Sequence, residues 1–251
     1  MPIRSVLINV VDLQASVNFY QRYLAGVLVG EPDESGAMLD FETGTIHLRT
    51  LTDPVASTWI ADDLQAGFRH LGFKVSDLEE RVAQLKADGV KFHLEPIDAE
   101  GGVRISFFYD PDGTLLELVE GDLQYHEVFD REAVDADWAL GSPARPRLDH
   151  VAETVADLAK TEAAYAGFGW ANMGGIHQPN DPRGFEIAYL RSGDTSLEIF
   201  TYSRASLVSR EPQQDAPGFF AMDIGTDSGG ADGARPTVTA DSDGLQRLAD
   251  R

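Results

Sequence analysis

Five residues able to bind a metal ion, His47, His70, Glu117, His150 and Glu198, fall at matched places in repeating segments of the chain. His70 stands seven residues before Asp77, and His150 stands seven before Asp157; the same spacing before Asp12 falls on Ser5. Each segment closes on a strand-like stretch whose middle residue is polar between two leucines or isoleucines: His47 between Ile46 and Leu48, Glu117 between Leu116 and Leu118, Glu198 between Leu197 and Ile199. Imidazole nitrogen and carboxylate oxygen are ligands of first-row divalent metals, so matched His and Glu positions are the makings of a metal cup.

The elements that must position them repeat as well. VVDL at 10–13, VSDL at 75–78 and VADL at 155–158 each join an alternating strand to a helical pattern. Leu13, Val17, Tyr20 and Leu24 recur at helical spacing, as do Leu78, Val82 and Leu85, with Ser76 and Glu79 placed for a capping box. The third helix, Asp157 to Tyr165, is shorter. Period-two stretches then predict strands near 37–43 and 45–51, near 91–95, 103–109 and 114–120, and near 184–191 and 195–202. Asp110-Pro111-Asp112-Gly113 is a strong turn between two of them. A fourth copy starts near 218 with GFFAMDIG and dissolves into TDSGGADGARP; the remainder, TVTADSDGLQRLADR, reads as a strand and a helix.

Alternate residues of a strand share a face. Leu71, Phe73 and Val75 then pack under a helix, leaving His70, Gly72 and Lys74 on the other side, and Val151 and Val155 likewise leave His150, Ala152 and Thr154. Each unit thus offers two inward positions: Ser5 with His47, His70 with Glu117, and His150 with Glu198. His93, His126, His177, Glu120 and Glu153 have no such agreement of phase and repeat and read as surface residues. Tyr109 reads as core, and GGADGARP lacks a phosphate-loop pattern.

At 251 residues the chain divides into a first domain over 1–121, a linker over 122–146 that carries Pro143 and Pro146, and a second domain over 147–251 that is degenerate after about 218. With 42 acidic against 20 basic residues it would be repelled by nucleic acid. Nothing resembles a membrane span or a signal peptide, which predicts a cytoplasmic protein. The absence of cysteine removes disulfides, thiolate sites and cysteine nucleophiles.

The three xDL junctions, His70 and the stretch FFYDPDGTLLELVEG resemble the vicinal oxygen chelate superfamily, which holds glyoxalase I, extradiol dioxygenases and the bleomycin resistance proteins. The resemblance is close over 1–121, clear over 147–203 and poor after 218. It implies an α+β fold of tandem βαβββ units in two glyoxalase-like domains with cup-shaped mixed sheets, the fourth unit truncated or degenerate. In that family two units form one cup around a metal, and which units pair varies. Pairing within the first domain would offer His47, His70 and Glu117, the set of an Fe(II) ring-cleaving dioxygenase. Pairing across domains would offer His70, Glu117, His150 and Glu198, the two-His, two-Glu set of glyoxalase-type enzymes. Ser5, His47 and Phe219 would then remain in a second cup without metal. The cross-domain cup is preferred because it uses four inward polar residues at once.

The implied cofactor is a divalent ion (Zn, Ni, Co, Mn or Fe(II)) acting as a Lewis acid on the vicinal oxygens of a small molecule and stabilising an enediolate. Glu117 or Glu198 would serve as the base, giving a lyase or isomerase. Lys74 is the one cation on the matching face, which argues against glutathione hemithioacetal as the substrate. A non-catalytic binding or resistance protein is the competitor from another class. Two fused domains predict a monomer or a weak homodimer.

Overall fold

The computed structural model describes residues 2–224 and 237–249. The first unit comprises β1 (Ser5–Val10), α1 (Leu13–Leu24), β2 (Val27–Leu28), β3 (Gly36–Asp40) and β4 (Thr45–Thr50). The second comprises β5 (Gly67–Val75), α2 (Leu78–Ala87), β6 (Phe92–Asp98), β7 (Arg104–Tyr109) and β8 (Leu115–Glu120). β9 (Glu127–Val128) and α3 (Arg131–Ala139) precede the third unit, made of β10 (Arg147–Thr154), α4 (Leu158–Ala166), β11 (Ala171–His177), β12 (Phe185–Ser192) and β13 (Thr195–Tyr202). β14 (Gly218–Asp223), β15 (Thr237–Ala240) and β16 (Gln246–Ala249) complete the chain.

These strands form two open mixed sheets, in the orders β15-β16-β14-β1-β4-β3-β2 and β6-β7-β8-β5-β10-β13-β12-β11-β9. In every unit the first strand pairs in parallel with the last: β1 with β4, β5 with β8, β10 with β13 and β14 with β16. The first strands of two units then pair antiparallel, β1 with β14 and β5 with β10. Each sheet therefore takes one unit from each half of the chain. The helix-facing residues, among them Val6, Ile8, Tyr20, Phe73, Leu116, Val151 and Ile199, merge in one buried core that spans both sheets. The aspartates of two xDL junctions are N-caps: Asp12 accepts from Ala15 N at 3.0 Å and Asp157 from Lys160 N at 3.2 Å.

Two equivalent turns tie the sheets together. In the turn at 110–113, Asp110 accepts the hydroxyl of Tyr20 on α1 at 2.9 Å, and Asp112 accepts Val11 N and Ser16 Oγ, each at 2.9 Å. In the turn at 241–244, Asp241 accepts the hydroxyl of Tyr165 on α4 at 3.1 Å, and Asp243 accepts Ala156 N at 2.9 Å. The first turn belongs to the larger sheet and grips the helix of the smaller one; the second does the reverse.

Four expectations are corrected. The stretch read as a linker carries β9 and α3: Asp130 caps the helix by accepting from Ala133 N, and its buried Val134 packs with Met173, Ile176 and Tyr189. A strand missing from the reading, β11, holds Gly174 where any Cβ would stand 2.7 Å from the Glu127 carbonyl oxygen. The C-terminal segment forms a strand pair, not a strand and a helix, because Asp241 accepts Asp243 N and Leu245 N and turns the chain back. The capping box does not form: Ser76 Oγ donates to the Pro143 carbonyl, Glu79 pairs with Arg104, and the Leu78 N–H goes to Glu120. The GGADGARP stretch lies outside the described residues.

Burial, followed by the neighbouring Asp112, raises the Asp110 carboxyl to about 6 despite the hydrogen bonds it accepts. A carboxyl that titrates near 4 when unfolded binds its proton more tightly in the fold, so its contribution is complete below about pH 4 and is lost as pH rises through 6. Urea titrations of wild type and Asp110→Asn from pH 4 to 7 should differ in slope, with about 2–3 kcal/mol of pH dependence missing in the variant. Parallel stability curves would contradict this reading of the turn.

Candidate metal centre

The β5–β10 pairing sets His70 opposite Ala152 and His150 opposite Gly72. Each histidine thus lies across from a small residue, and a Cβ built on Gly72 would stand 2.1–2.5 Å from ring atoms of His150. The parallel neighbours bring the carboxylates: β8 sets Glu117 beside Gly72, and β13 sets Glu198 beside Ala152. All four side chains are buried, with relative exposures of 0% for His70, 4% for His150, 5% for Glu117 and 8% for Glu198.

Their facing atoms converge. His70 Nε2 lies 3.0 Å from His150 Nε2, 3.2 Å from Glu117 Oε2 and 3.1 Å from Glu198 Oε2. His150 Nε2 lies 2.9 Å from Glu117 Oε2 and 3.4 Å from Glu198 Oε2. With both carboxylates ionised, those five contacts have at most two protons to fill them, one on each Nε2. Three contacts must then place lone pair against lone pair. A cation at their centre would accept electrons from all four atoms. Ligands held at about 2.1 Å lie about 3.0 Å apart at right angles and about 3.4 Å apart at the tetrahedral angle, which is the observed spread. The donor set and its spacing fit a first-row divalent ion.

Surrounding groups orient the four. His150 Nδ1 is 2.9 Å from Asp149 Oδ2, so a proton shared there leaves the Nε2 lone pair facing the cluster. Tyr189 donates its hydroxyl to Glu198 Oε1 at 2.7 Å and leaves Oε2 for the histidines. His70 Nδ1 is buried with no hydrogen-bond partner. Burial acts to raise the Glu117 carboxyl, but His70 and His150 hold it down to about 2. Burial pushes the His150 imidazolium the other way, yet Glu198, Asp149 and Glu117 keep its pKa well above the usual range. Asp149, buried as well, is held at about 2 by His150 and Lys74.

The other predicted site residues lie elsewhere. His47 is on β4 of the smaller sheet, half-buried, with Leu7 and Met38 as strand neighbours, and Ser5 pairs with Asp223 and Thr45. The set His47, His70 and Glu117 is not brought together, because β1 pairs with β14 and leaves β5 to β10. Phe219 is not the fourth inward residue of the smaller sheet. Opposite Leu7, where His70 stands in the larger sheet, is Ala221. A bulge in both β5 and β14 shifts the register, and the sequences GFRH at 67–70 and GFFA at 218–221 align it. Phe219 stacks on Phe68, with ring centres 4.0 Å apart.

Glu153 is no surface residue. It is fully buried, and burial with Asp241 beside it raises its carboxyl well above the usual range. It occupies the core phase between Val151 and Val155, where Phe73 and Ile8 stand in the other units. His93 and His126 are exposed and His177 is half-buried, outside the cluster.

A cavity of about 200 Å³ opens over the four residues. Ile105, Phe107, Val119, Leu123, Ile187 and Phe200 line it. Leu123 and Tyr125, from the stretch read as a linker, are part of its wall. Arg69 is a cation that the strand phase concealed, because the β5 bulge turns it to this face; it pairs with Asp63 at 2.5 Å and lies over the Phe200 ring. Lys74 donates to the Gly121 carbonyl.

Residues 3–118 match the family model described as Glyoxalase/Bleomycin resistance protein/Dioxygenase superfamily. The uncharacterized protein YaeR of Escherichia coli (strain K12) is 44% identical over 54 residues, 22% of this chain and 42% of that protein. A lactoylglutathione lyase of Arabidopsis thaliana is 29% identical over 123 residues, 46% of this chain and 42% of that protein. The chain thus spans less than half the length of each of these relatives. The crystal structure of glyoxalase I from Zea mays superposes with a TM-score of 0.66 at 19% identity, over 99% of this chain and 91% of that one. That likeness establishes a glyoxalase I-like fold over nearly the whole chain.

Gly72→Ala should crowd the His150 ring and move it, since the ring can yield and the paired backbone cannot. We expect a loss of about 1–3 kcal/mol in urea unfolding and, in a crystal structure of the variant, His150 Nε2 displaced from Glu117 by about 1 Å or more. An unmoved ring would contradict the packing described.

Proposed function

Residues 3–118 belong to the Glyoxalase/Bleomycin resistance protein/Dioxygenase superfamily, and on that footing we propose that the protein is a metal-dependent lyase or isomerase acting on a small, uncharged molecule with vicinal oxygens. The observation that carries this reading is the set of five short contacts among His70, His150, Glu117 and Glu198, which protons alone leave unsatisfied. His70 Nε2, His150 Nε2, Glu117 Oε2 and Glu198 Oε2 would hold a divalent cation. Such an ion, when bound, polarises a carbonyl and its adjacent hydroxyl and makes the neighbouring carbon acidic.

The chain's own residues do the rest. Both carboxylates meet the two histidines, and Glu198 is anchored in addition through Oε1 by Tyr189. Glu117 is thus the carboxylate freer to swing, take the carbon-bound proton at Oε2 and return it at a neighbouring position. Glu198 keeps its place and its charge.

Substrate size and polarity follow from the walls. A cavity of about 200 Å³ is smaller than the ~300–1,000 Å³ of pockets for drug-sized ligands. Its cations are already opposed by carboxylates, Arg69 by Asp63 and Lys74 by the nearby Asp137 and Asp149, which disfavours a substrate carboxylate there. Both features favour a compact hydroxy-carbonyl compound over a peptide conjugate. One chain supplies both halves of the cluster, so no second copy is needed to complete it.

Proton exchange gives the test. Metal-loaded protein in D2O should exchange the carbon-bound proton of acetoin or hydroxyacetone, followed by NMR. Glu117→Gln should slow exchange by about 100-fold or more. Exchange that survives in Glu117→Gln, or is absent with both ketones, would contradict the assignment.

A further inference from the structure

A second cavity lies away from the four-residue cluster. It measures about 710 Å³ and shares no lining residue with the first. It sits where the two sheets meet, between the turn at 110–113, the start of β5, the start of β14 and the connecting segments near 57–61 and 210–217. Its apolar wall is aromatic: Phe19, Trp59, Phe68, Tyr109 and Phe219. Phe68 and Phe219 stack there with rings within 4° of parallel, and Trp59 is fixed by donating its indole N–H to the Phe68 carbonyl at 2.9 Å. Flat rigid faces of this kind suit a flat ligand.

Hydrogen bonding on the polar wall is lopsided. The acidic residues that line the cavity are supplied from elsewhere. Asp88 accepts from Arg22 and Tyr23, Asp110 from Tyr20 and its own turn, and Asp112 from Val11 and Ser16. Two buried donors are not supplied. Thr114 is 1% exposed, and its hydroxyl has no hydrogen-bond partner. The Arg210 Nε–H is buried without an acceptor, and burial lowers the guanidinium pKa with no carboxylate to offset it. Lys91, exposed at the cavity rim, meets the Tyr109 ring, 4.8 Å from its centre, and pairs with no carboxylate among the described residues. In a chain with 42 acidic and 20 basic residues, a buried guanidinium nitrogen without an acceptor among the described residues needs an explanation. Buried donors left unmatched are costly, and an acceptor entering the cavity removes that cost.

We propose that this cavity is a second small-molecule site, and that it binds a planar aromatic carboxylate. The carboxylate accepts from Arg210 and Thr114, and the ring lies against Trp59 and the Phe68–Phe219 pair. Such a ligand would touch both sheets, through Phe68 of one and Phe219 of the other.

Calorimetric titration of the purified protein with 2-naphthoate tests the site. The expected dissociation constant is on the order of 10–100 µM. Arg210→Met should weaken binding at least tenfold, about 1.4 kcal/mol, and Thr114→Val several-fold. 2-Naphthamide, of the same shape without the charge, should bind at least tenfold more weakly than the acid. His70→Ala should leave naphthoate binding unchanged, which separates this site from the cluster and keeps its fate independent of the proposed reaction. A far-ultraviolet spectrum and melting curve establish that each variant is folded. No heat up to millimolar naphthoate, equal binding of acid and amide, or loss of binding in His70→Ala with retention in Arg210→Met would each overturn the proposal.

Discussion

The antiparallel pairing of β5 with β10 is the constraint on which the candidate centre depends. Residues 80 positions apart in sequence, His70 and His150, reach a 3.0 Å contact only because these two strands run side by side in one register. A slip of one residue in either strand would turn that strand's ring to the helix side. The register also requires small residues opposite each ring, and Gly72 and Ala152 provide them. Each first strand then carries its own parallel partner, β8 or β13, so the carboxylates arrive with the histidines. Backbone pairing over nine strands thus fixes four side chains that share no local sequence.

Pairing β5 with β10 obliges β1 to pair with β14, and the two sheets must then be held to each other. The turns at 110–113 and 241–244 do this by the same device. In both, one aspartate turns the chain and grips a helical tyrosine, and the second takes a backbone N–H just before that helix. Asp-x-Asp-Gly therefore serves as a latch and has no place in the chemistry. The sheets diverge at their cup faces. Where the larger presents His70 the smaller presents Ala221, and where the larger presents Glu198 and Glu117 the smaller presents His47 and Leu248. Among the described residues, the smaller sheet assembles no cluster of metal-ligating side chains on that face.

Much of this was legible in the chain. The xDL junctions mark the starts of α1, α2 and α4, and strand phase alone puts His70, Glu117, His150 and Glu198 on one side of their strands. Which strands would be neighbours was not, because phase and period are local while pairing is settled by the whole sheet. That is why His47 could be grouped with His70 on paper. Bulges are invisible to an alternation rule, and one bulge hid Arg69 while another misplaced Phe219. The GFRH and GFFA repeat would have exposed both. α3 was hidden because a single residue, Val134, is buried along it, too little to make a period. β11 was hidden by Gly174 and Gly175, which are there so that another backbone can approach. Glu153 violates the rule that core positions are apolar, and its neighbours Asp241 and Arg247 lie in the segment read as a degenerate tail.

The four residues are buried at the floor of their cavity, on the sheet face opposite the main core. Apolar walls from β7, β8, β12 and β13 raise the cost of leaving their charges unmatched, which is what gives a cation its advantage there. The most direct measurement is the metal content of chelator-stripped protein reloaded with Ni2+ or Zn2+ and counted by plasma mass spectrometry. About one ion per chain is expected for wild type and for His47→Ala, and close to none for His150→Ala. Metal retained in His150→Ala and lost in His47→Ala would contradict the shared cup.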